Sequence, residues 1–441
     1  MIEKLRAFVK KEHLFEEQQT VLIAVSGGID SVVLCFLMKK AGYSFGMAHC
    51  NFKLRGDASD GDAVFVKELA EKLNVPYFEK TFYTEKIAKK EKKSIQIIAR
   101  ELRYDWLENI RIQHQYSRIA TAHHLNDSIE TVLYNITKGC GIRGLHGILP
   151  LNGSIIRPLL FATKEEIKNW ATQNEIFHRK DASNATDKYS RNRVRHHVTP
   201  ILKTINPAFE RTFEANIKRF RELEKLQNWA VEYWREELMT RVGEEMILDA
   251  TRFDELPTQA TILYEILLPY GFNAAQIEKM LALPSMASGQ LFSSNTFDLL
   301  VNRGQWIIRK QVVEVAEMVI EGFSEPFFIN ENTQLYFQQH TKTKDFIFKK
   351  NKNIAYFDAE KIKLPLRLRR WKEGDVFEPF GMNGRHKKVS DVFKNAKLSL
   401  FEKEKIWILE SENTIVWVVG MRTDERFRVT EQTDKILEIL L

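Results

Sequence analysis

Ser26-Gly27-Gly28-Ile29-Asp30-Ser31 combines the residue types that a polyphosphate needs. The string follows the apolar run Val21 to Val25 and precedes Val32-Val33-Leu34-Cys35-Phe36-Leu37-Met38, so the order reads strand, glycine turn, helix. A helix N-terminus offers unpaired N–H groups and positive dipole character, and two glycines let backbone approach an anion closely. Ser26 and Ser31 add hydroxyls, while Asp30 sets a carboxylate where magnesium bridging phosphates can be held. No lysine follows as in a Walker loop, and the dinucleotide fingerprint G-x-G-x-x-G is missing. A serine-capped glycine turn would share the string, so the remaining motifs must decide.

Three further groups of residues carry chemistry. After the next apolar run comes His49-Cys50-Asn51-Phe52-Lys53-Leu54-Arg55, a polar loop that also reads as a surface connection. Its imidazole and amide can bind a nucleoside, and the Arg55 guanidinium can neutralise phosphate. In Ala122-His123-His124-Leu125-Asn126-Asp127-Ser128-Ile129-Glu130, the carboxylates of Asp127 and Glu130 are three apart at a helix start and share a face. Such a face can hold an ammonium group, a metal or a proton, although an acidic first turn also complements the helix dipole. Arg143 sits among four closely spaced glycines at 139–147, a pattern for a substrate loop or for an ordinary turn. Arg191-Asn192-Arg193-Val194-Arg195, shortly after Asp181-Ala182-Ser183-Asn184 and Lys188, is a dense cationic run suited to RNA phosphate.

The elements that must position these groups follow from the apolar pattern. Strand-like runs at Val21 to Val25, Phe45 to His49, Tyr77 to Phe82 and Ile119 to Ala122 alternate with helical stretches, which predicts a doubly wound parallel α/β sheet. Ser26, His49 and His123 then fall at carboxyl ends of strands, where such sheets bind ligands. From about residue 208 the pattern turns helical, and from about 350 it shows short alternating runs such as Ile415-Val416-Trp417-Val418-Val419. The expected domains are therefore a catalytic domain at 1–207, a helical linker and middle domain at 208–325, and a small mixed α/β domain at 350–441. Residues 363–397 carry ten cationic and four acidic side chains, among them Arg369, Arg370, Lys387 and Lys388, interleaved with Trp371, Phe377 and Phe380. That is the composition of a surface that grips nucleic acid backbone and stacks on bases.

The whole chain of 441 residues has a net charge of +7, no apolar stretch long enough for a bilayer and no signal peptide, so a cytoplasmic protein is expected. Its three cysteines, Cys35, Cys50 and Cys140, are isolated, which argues against disulfides and against a paired-thiol site.

In their order along the chain these motifs, together with A-R-E-L-R-Y at Ala99 to Tyr104, R-P-L-L at Arg157 to Leu160 and the stretch Arg367 to Phe393, resemble the tRNA(Ile)-lysidine synthase family of PP-loop ATP pyrophosphatases. The resemblance implies a Rossmann-like PP-loop domain that uses ATP and magnesium. It implies adenylation of the carbon-2 oxygen of the wobble cytidine in an isoleucine tRNA with a CAU anticodon, then displacement of AMP by free L-lysine. Matching positions assign Ser26, Gly27, Gly28, Ile29, Asp30, Ser31, His49 and Arg100 to the nucleotide, Asp30 also to the metal, and Asp127 and Glu130 to lysine recognition or proton handling. Arg55, His123, Arg143, Arg191, Asn192, Arg193, Arg195 and the four C-terminal cations then face substrate. Asn126, Ser128-Ile129 and Phe52-Lys53 depart from the family pattern. No membrane partner is implied, and a homodimer is compatible with the sequence. The alternatives are a PP-loop cytidine thiolase, which needs clustered cysteines, a glutamine-dependent synthetase, and a non-catalytic RNA-binding protein.

Overall fold

A computed structural model describes residues 1–179, 190–284, 286–312, 316–330 and 333–441, with Ser190 and Arg191 described by their backbone alone. The chain divides into two compact units, Met1–Asn228 and Trp229–Leu441.

The first unit is a six-stranded sheet with helices on both faces. Its elements are α1 (Ile2–Lys11), β1 (Val21–Ala24), α2 (Ile29–Lys40), β2 (Phe45–Asn51), α3 (Asp57–Leu73), β3 (Tyr77–Thr81), α4 (Thr84–Glu91), α5 (Ile95–Gln113) and β4 (Arg118–Ala120). α6 (Leu125–Lys138), α7 (Ile142–Leu145), β5 (Leu151–Asn152), β6 (Ile155–Ile156) and α8 (Lys164–Gln173) complete it. Val21, Leu22 and Ile23 are wholly buried, because a central parallel strand is covered on both faces. Their side chains alternate: Val21 and Ile23 pack with Val33, Leu37 and Leu5, whereas Leu22 packs with Trp106 and Leu107. Each such burial stabilises the fold by about 1.5–3 kcal/mol.

The strand order is β3-β2-β1-β4-β6-β5, with β1 parallel to both β2 and β4 and only β5 antiparallel at the edge. The chain therefore leaves β1 toward one side, then returns to its other side at β4. This reversal opens a crevice beyond the carboxyl end of β1, and residues 25–31 lie in it. The doubly wound parallel sheet expected from the alternation is the observed one.

After α8, the segment Ser190–Ile205 is helical, with a π-helical stretch at Val194–Val198, and a thirty-residue helix runs from Phe209 to Leu238. Within the second unit, the middle region adds to its helices a five-stranded antiparallel sheet between Met239 and Lys310. The run Phe297-Asp-Leu-Leu-Val-Asn buries Leu299, Leu300 and Val301 in succession, a short apolar pattern that helix and strand can share. Toward the C-terminus a five-stranded and a four-stranded sheet share one core, in which Leu366, Leu368, Trp417 and Leu437 meet. The helix Val389–Asn395 covers a second core around Phe377, Phe393 and Ile408.

Candidate active site

The turn after β1 is built as a cradle. Gly27 has φ +86°, a conformation that favours glycine, and Gly28 is the N-cap of α2 with no side-chain acceptor on the first helical N–H groups. Ser31 Oγ donates to Gly28 O at 3.0 Å and accepts from Ser26 N at 3.2 Å, which holds both hydroxyls on the inner side of the turn. Across the turn, Arg179 N donates to Gly27 O at 3.0 Å.

A cavity of about 370 Å³ opens beside this turn, and Ser26, Asp30, His49, Arg55, His123 and Asp127 all line it. Asp30 accepts two hydrogen bonds from Lys164 Nζ, at 2.6 and 2.7 Å. Lys164 follows the N-cap Thr163 of α8, whose hydroxyl accepts from Glu166 N at 3.1 Å while Glu166 returns the bond to Thr163 N at 2.9 Å. The sequence signals that helix start; its pairing with a carboxylate 134 residues away has no sequence signature.

Two imidazoles in the wall are held neutral. His49 Nδ1 lies 2.8 Å from Val25 O, so it carries the proton and leaves Nε2 as acceptor, and burial lowers the ring's pKa. His123 bonds Thr121 Oγ1 through Nδ1 at 2.9 Å, and its pKa falls from 6.5 to about 4. Burial is the main cause; Arg157, His124 and Arg100 push the same way, against Asp127. Between these two values the unfolded chain binds a proton that the native ring does not, so stability rises with pH there and is lost as pH falls toward 4. His123→Gln should flatten this dependence by roughly 3 kcal/mol over the window. Denaturation midpoints compared across that range would check it, and an unchanged slope in the variant would remove the assignment.

Asp127 heads α6. Its carboxylate accepts from His124 N at 2.9 Å and from Arg195 Nη2 at 3.3 Å. Burial pushes its pKa up, but the two histidines, this N–H and Arg195 outweigh it and keep the group below the usual carboxylate range. Glu130, one turn on, is buried and does not line the cavity; both its oxygens take Arg195, at 2.7 and 2.8 Å. The expectation of a substrate-facing Glu130 is thus corrected: it anchors a guanidinium. Arg195, expected on RNA phosphate, turns inward to these two carboxylates.

The other expected positions divide. Arg55 lines the cavity and pairs with Asp62 at 2.6 Å; Asp62 also binds Arg179, which the sequence reading missed. Arg100 is exposed, 4.9 Å over the Tyr104 ring, and it is Tyr104 that reaches the cavity wall. Arg143 is exposed on the short α7, Arg193 is exposed and Asn192 half-buried. Asp181 to Asn184 and Lys188 lie outside the described residues, as does the Arg191 side chain. Cys50 lines the cavity, but burial pushes its thiol up to about 12, so it stays protonated.

In the second unit Arg369 is not a nucleic-acid contact. It is buried and bonds Asp375 at 2.8 and 2.9 Å and Glu410 at 2.9 Å, because the 371–375 turn folds over it. Arg370 stacks 3.7 Å from the Trp407 centroid. Phe377 is core, while Lys388 and Phe380 are exposed and Lys387 is half-buried.

Most of the chain matches known protein families. Residues 1–202 match the PP-loop domain family, 241–311 the TilS substrate binding domain, and 366–439 the TilS substrate C-terminal domain. The chain is 41% identical over 438 residues to the tRNA(Ile)-lysidine synthase of Parabacteroides distasonis, covering 99% of each. It is 35% identical to that of Bacteroides thetaiotaomicron, covering 98% of this chain and 97% of the relative. With a nucleotide cradle at the sheet's switch point and such similarity over its length, the chain belongs to the tRNA(Ile)-lysidine synthase family.

Proposed function

We propose that the cavity beside the β1 turn joins L-lysine to carbon 2 of the wobble cytidine of a CAU isoleucine tRNA in two steps. The carrying observation is convergence: Ser26, Asp30 and Ser31 of the β1 turn and Asp127 line one cavity in a chain with full-length relatives of that name. In the first step the carbon-2 oxygen attacks the α-phosphate of ATP, and pyrophosphate leaves. The N-terminus of α2 and the Ser26 and Ser31 hydroxyls cradle the phosphates. In the second, the lysine amine attacks carbon 2 and AMP leaves, a group far better than a bare carbonyl oxygen.

The donor set at Asp30 fits magnesium. That ion is held by one or two carboxylates plus substrate phosphates, and a cation, the Lys164 ammonium, already occupies both oxygens of Asp30. Bound there, magnesium would neutralise charge developing on pyrophosphate.

Asp127, ionised at neutral pH, is the counter-charge for a lysine ammonium. The proton released on attack has two acceptors in the same wall, this carboxylate and neutral His123. Arg55 is placed for phosphate, and the exposed cations Arg193 and Lys388 for RNA backbone. A reaction on tRNA with ATP and free lysine belongs in the cytoplasm, and no helix among the described residues is long and apolar enough to cross a membrane.

Incubation with ATP, labelled lysine and CAU tRNA should release AMP and pyrophosphate and place the label in RNA. Omitting lysine should leave adenylated tRNA. Pyrophosphate release without labelled RNA in the complete mixture would overturn the reading.

A further inference from the structure

The phosphate turn at residues 26–31 lacks the lysine that a Walker loop supplies to the β- and γ-phosphates from within its own sequence. The fold brings one from elsewhere. Lys164, the first residue of α8, places its ammonium 2.6 and 2.7 Å from the two oxygens of Asp30 in the first turn of α2. Lys164 does not line the cavity; it meets it through Asp30, which does.

The backbone of this lysine is held, while its side chain can turn. Lys164 N donates to Asn126 Oδ1 at 2.8 Å, Thr163 and Glu166 cap the helix reciprocally, and Ile167 and Ala171 share a core with Val33 and Leu37 of α2. Beyond Cα the four-carbon stem is flexible, and the side chain is 31% exposed. A cation in the first turn of a helix opposes the dipole, and the next two residues, Glu165 and Glu166, carry the charge that this turn favours. The pair with Asp30 offsets that cost. Once a divalent cation takes the Asp30 oxygens, the ammonium is repelled from them, and a polyphosphate on the N-terminus of α2 offers it a new partner.

We propose that Lys164 is a phosphate-binding catalytic residue, whose ammonium covers Asp30 in the free chain and moves to the pyrophosphate half of ATP when nucleotide and metal bind. The inference rests on the nucleotide site proposed above. As the carbon-2 oxygen bonds the α-phosphorus, the bond from that phosphorus to the bridging oxygen breaks and its electron pair leaves on pyrophosphate. The ammonium stabilises that charge and gives up no proton.

The test uses the full chain and calorimetric titration with ATP, inorganic pyrophosphate and AMP, each with magnesium, beside a thermal melt. Lys164→Met should weaken ATP and pyrophosphate at least about tenfold, the loss of one charged hydrogen bond, and leave AMP unchanged. Lys164→Arg should restore most of that loss. Without nucleotide, Lys164→Met should bind manganese about two- to fivefold more tightly than the unmodified chain, because a partly exposed ion pair no longer competes for Asp30. Equal weakening of all three ligands, or no weakening of ATP, would overturn the phosphate role. Unchanged manganese affinity would overturn the covering of Asp30. Failure of the unmodified chain to bind ATP would instead overturn the nucleotide site on which the inference rests.

Discussion

Asp30→Asn should abolish pyrophosphate release, with kcat/KM falling by roughly 10³ or more. The carboxylate lines the cavity at the first turn of α2 and points both oxygens at a cation, the Lys164 ammonium. An amide of the same shape keeps the packing but removes the charge on which a metal and its phosphates depend. Because the side chain is 28% exposed and its main partner is a partly exposed lysine, little stability should be lost. Pyrophosphate release with ATP and CAU tRNA, run beside a thermal melt, separates the two effects. Near-normal turnover would end the metal assignment; a collapse of the melting temperature would make Asp30 a structural residue.

Asp127→Asn and Glu130→Gln should behave differently, although one helical turn separates them. Asp127 lines the cavity, so its neutralisation should let adenylated tRNA accumulate while lysine transfer slows by about 10²–10³. Glu130 holds Arg195 in a bidentate pair away from the cavity. Losing that charge leaves a half-buried guanidinium short of its partner, which should lower stability by about 2 kcal/mol and slow both half-reactions together. Rapid quench with labelled ATP, with and without lysine, reads the split. If both variants lose adenylation equally, Asp127 belongs to the nucleotide rather than to lysine.

What the sequence made legible is local. The strand–turn–helix at Val21 to Met38, the cavity positions of His49 and His123, and the alternation that yields the sheet all depend on neighbours within a few residues. What it hid depends on distance. Lys164 on Asp30 and Arg179 on Asp62 join residues 134 and 117 apart. Direction was hidden too. Glu130 and Asp127 share a helix face, yet only one reaches the cavity. Arg367 and Arg369 alternate on one strand face, but Arg369 lies beneath a turn that supplies Asp375, so its charge never meets solvent. Charge composition counts cations without saying which are already neutralised.

The bonds that close the cradle also set a schedule for its birth. Ser31 leaves the ribosome early, but β1 is flanked by a strand at Arg118–Ala120, Asp30 waits for Lys164, and the glycine turn waits for Arg179. At about 5–20 residues per second, roughly 7–30 s pass between the synthesis of the motif and that of its last partner. For roughly the first 4–18 s of that interval, until Ala120 is made, Val21, Leu22 and Ile23, which end wholly buried, have no sheet on one side. The nascent chain is therefore exposed to mispairing at the strand on which its chemistry is later built, and chaperone capture would act there first.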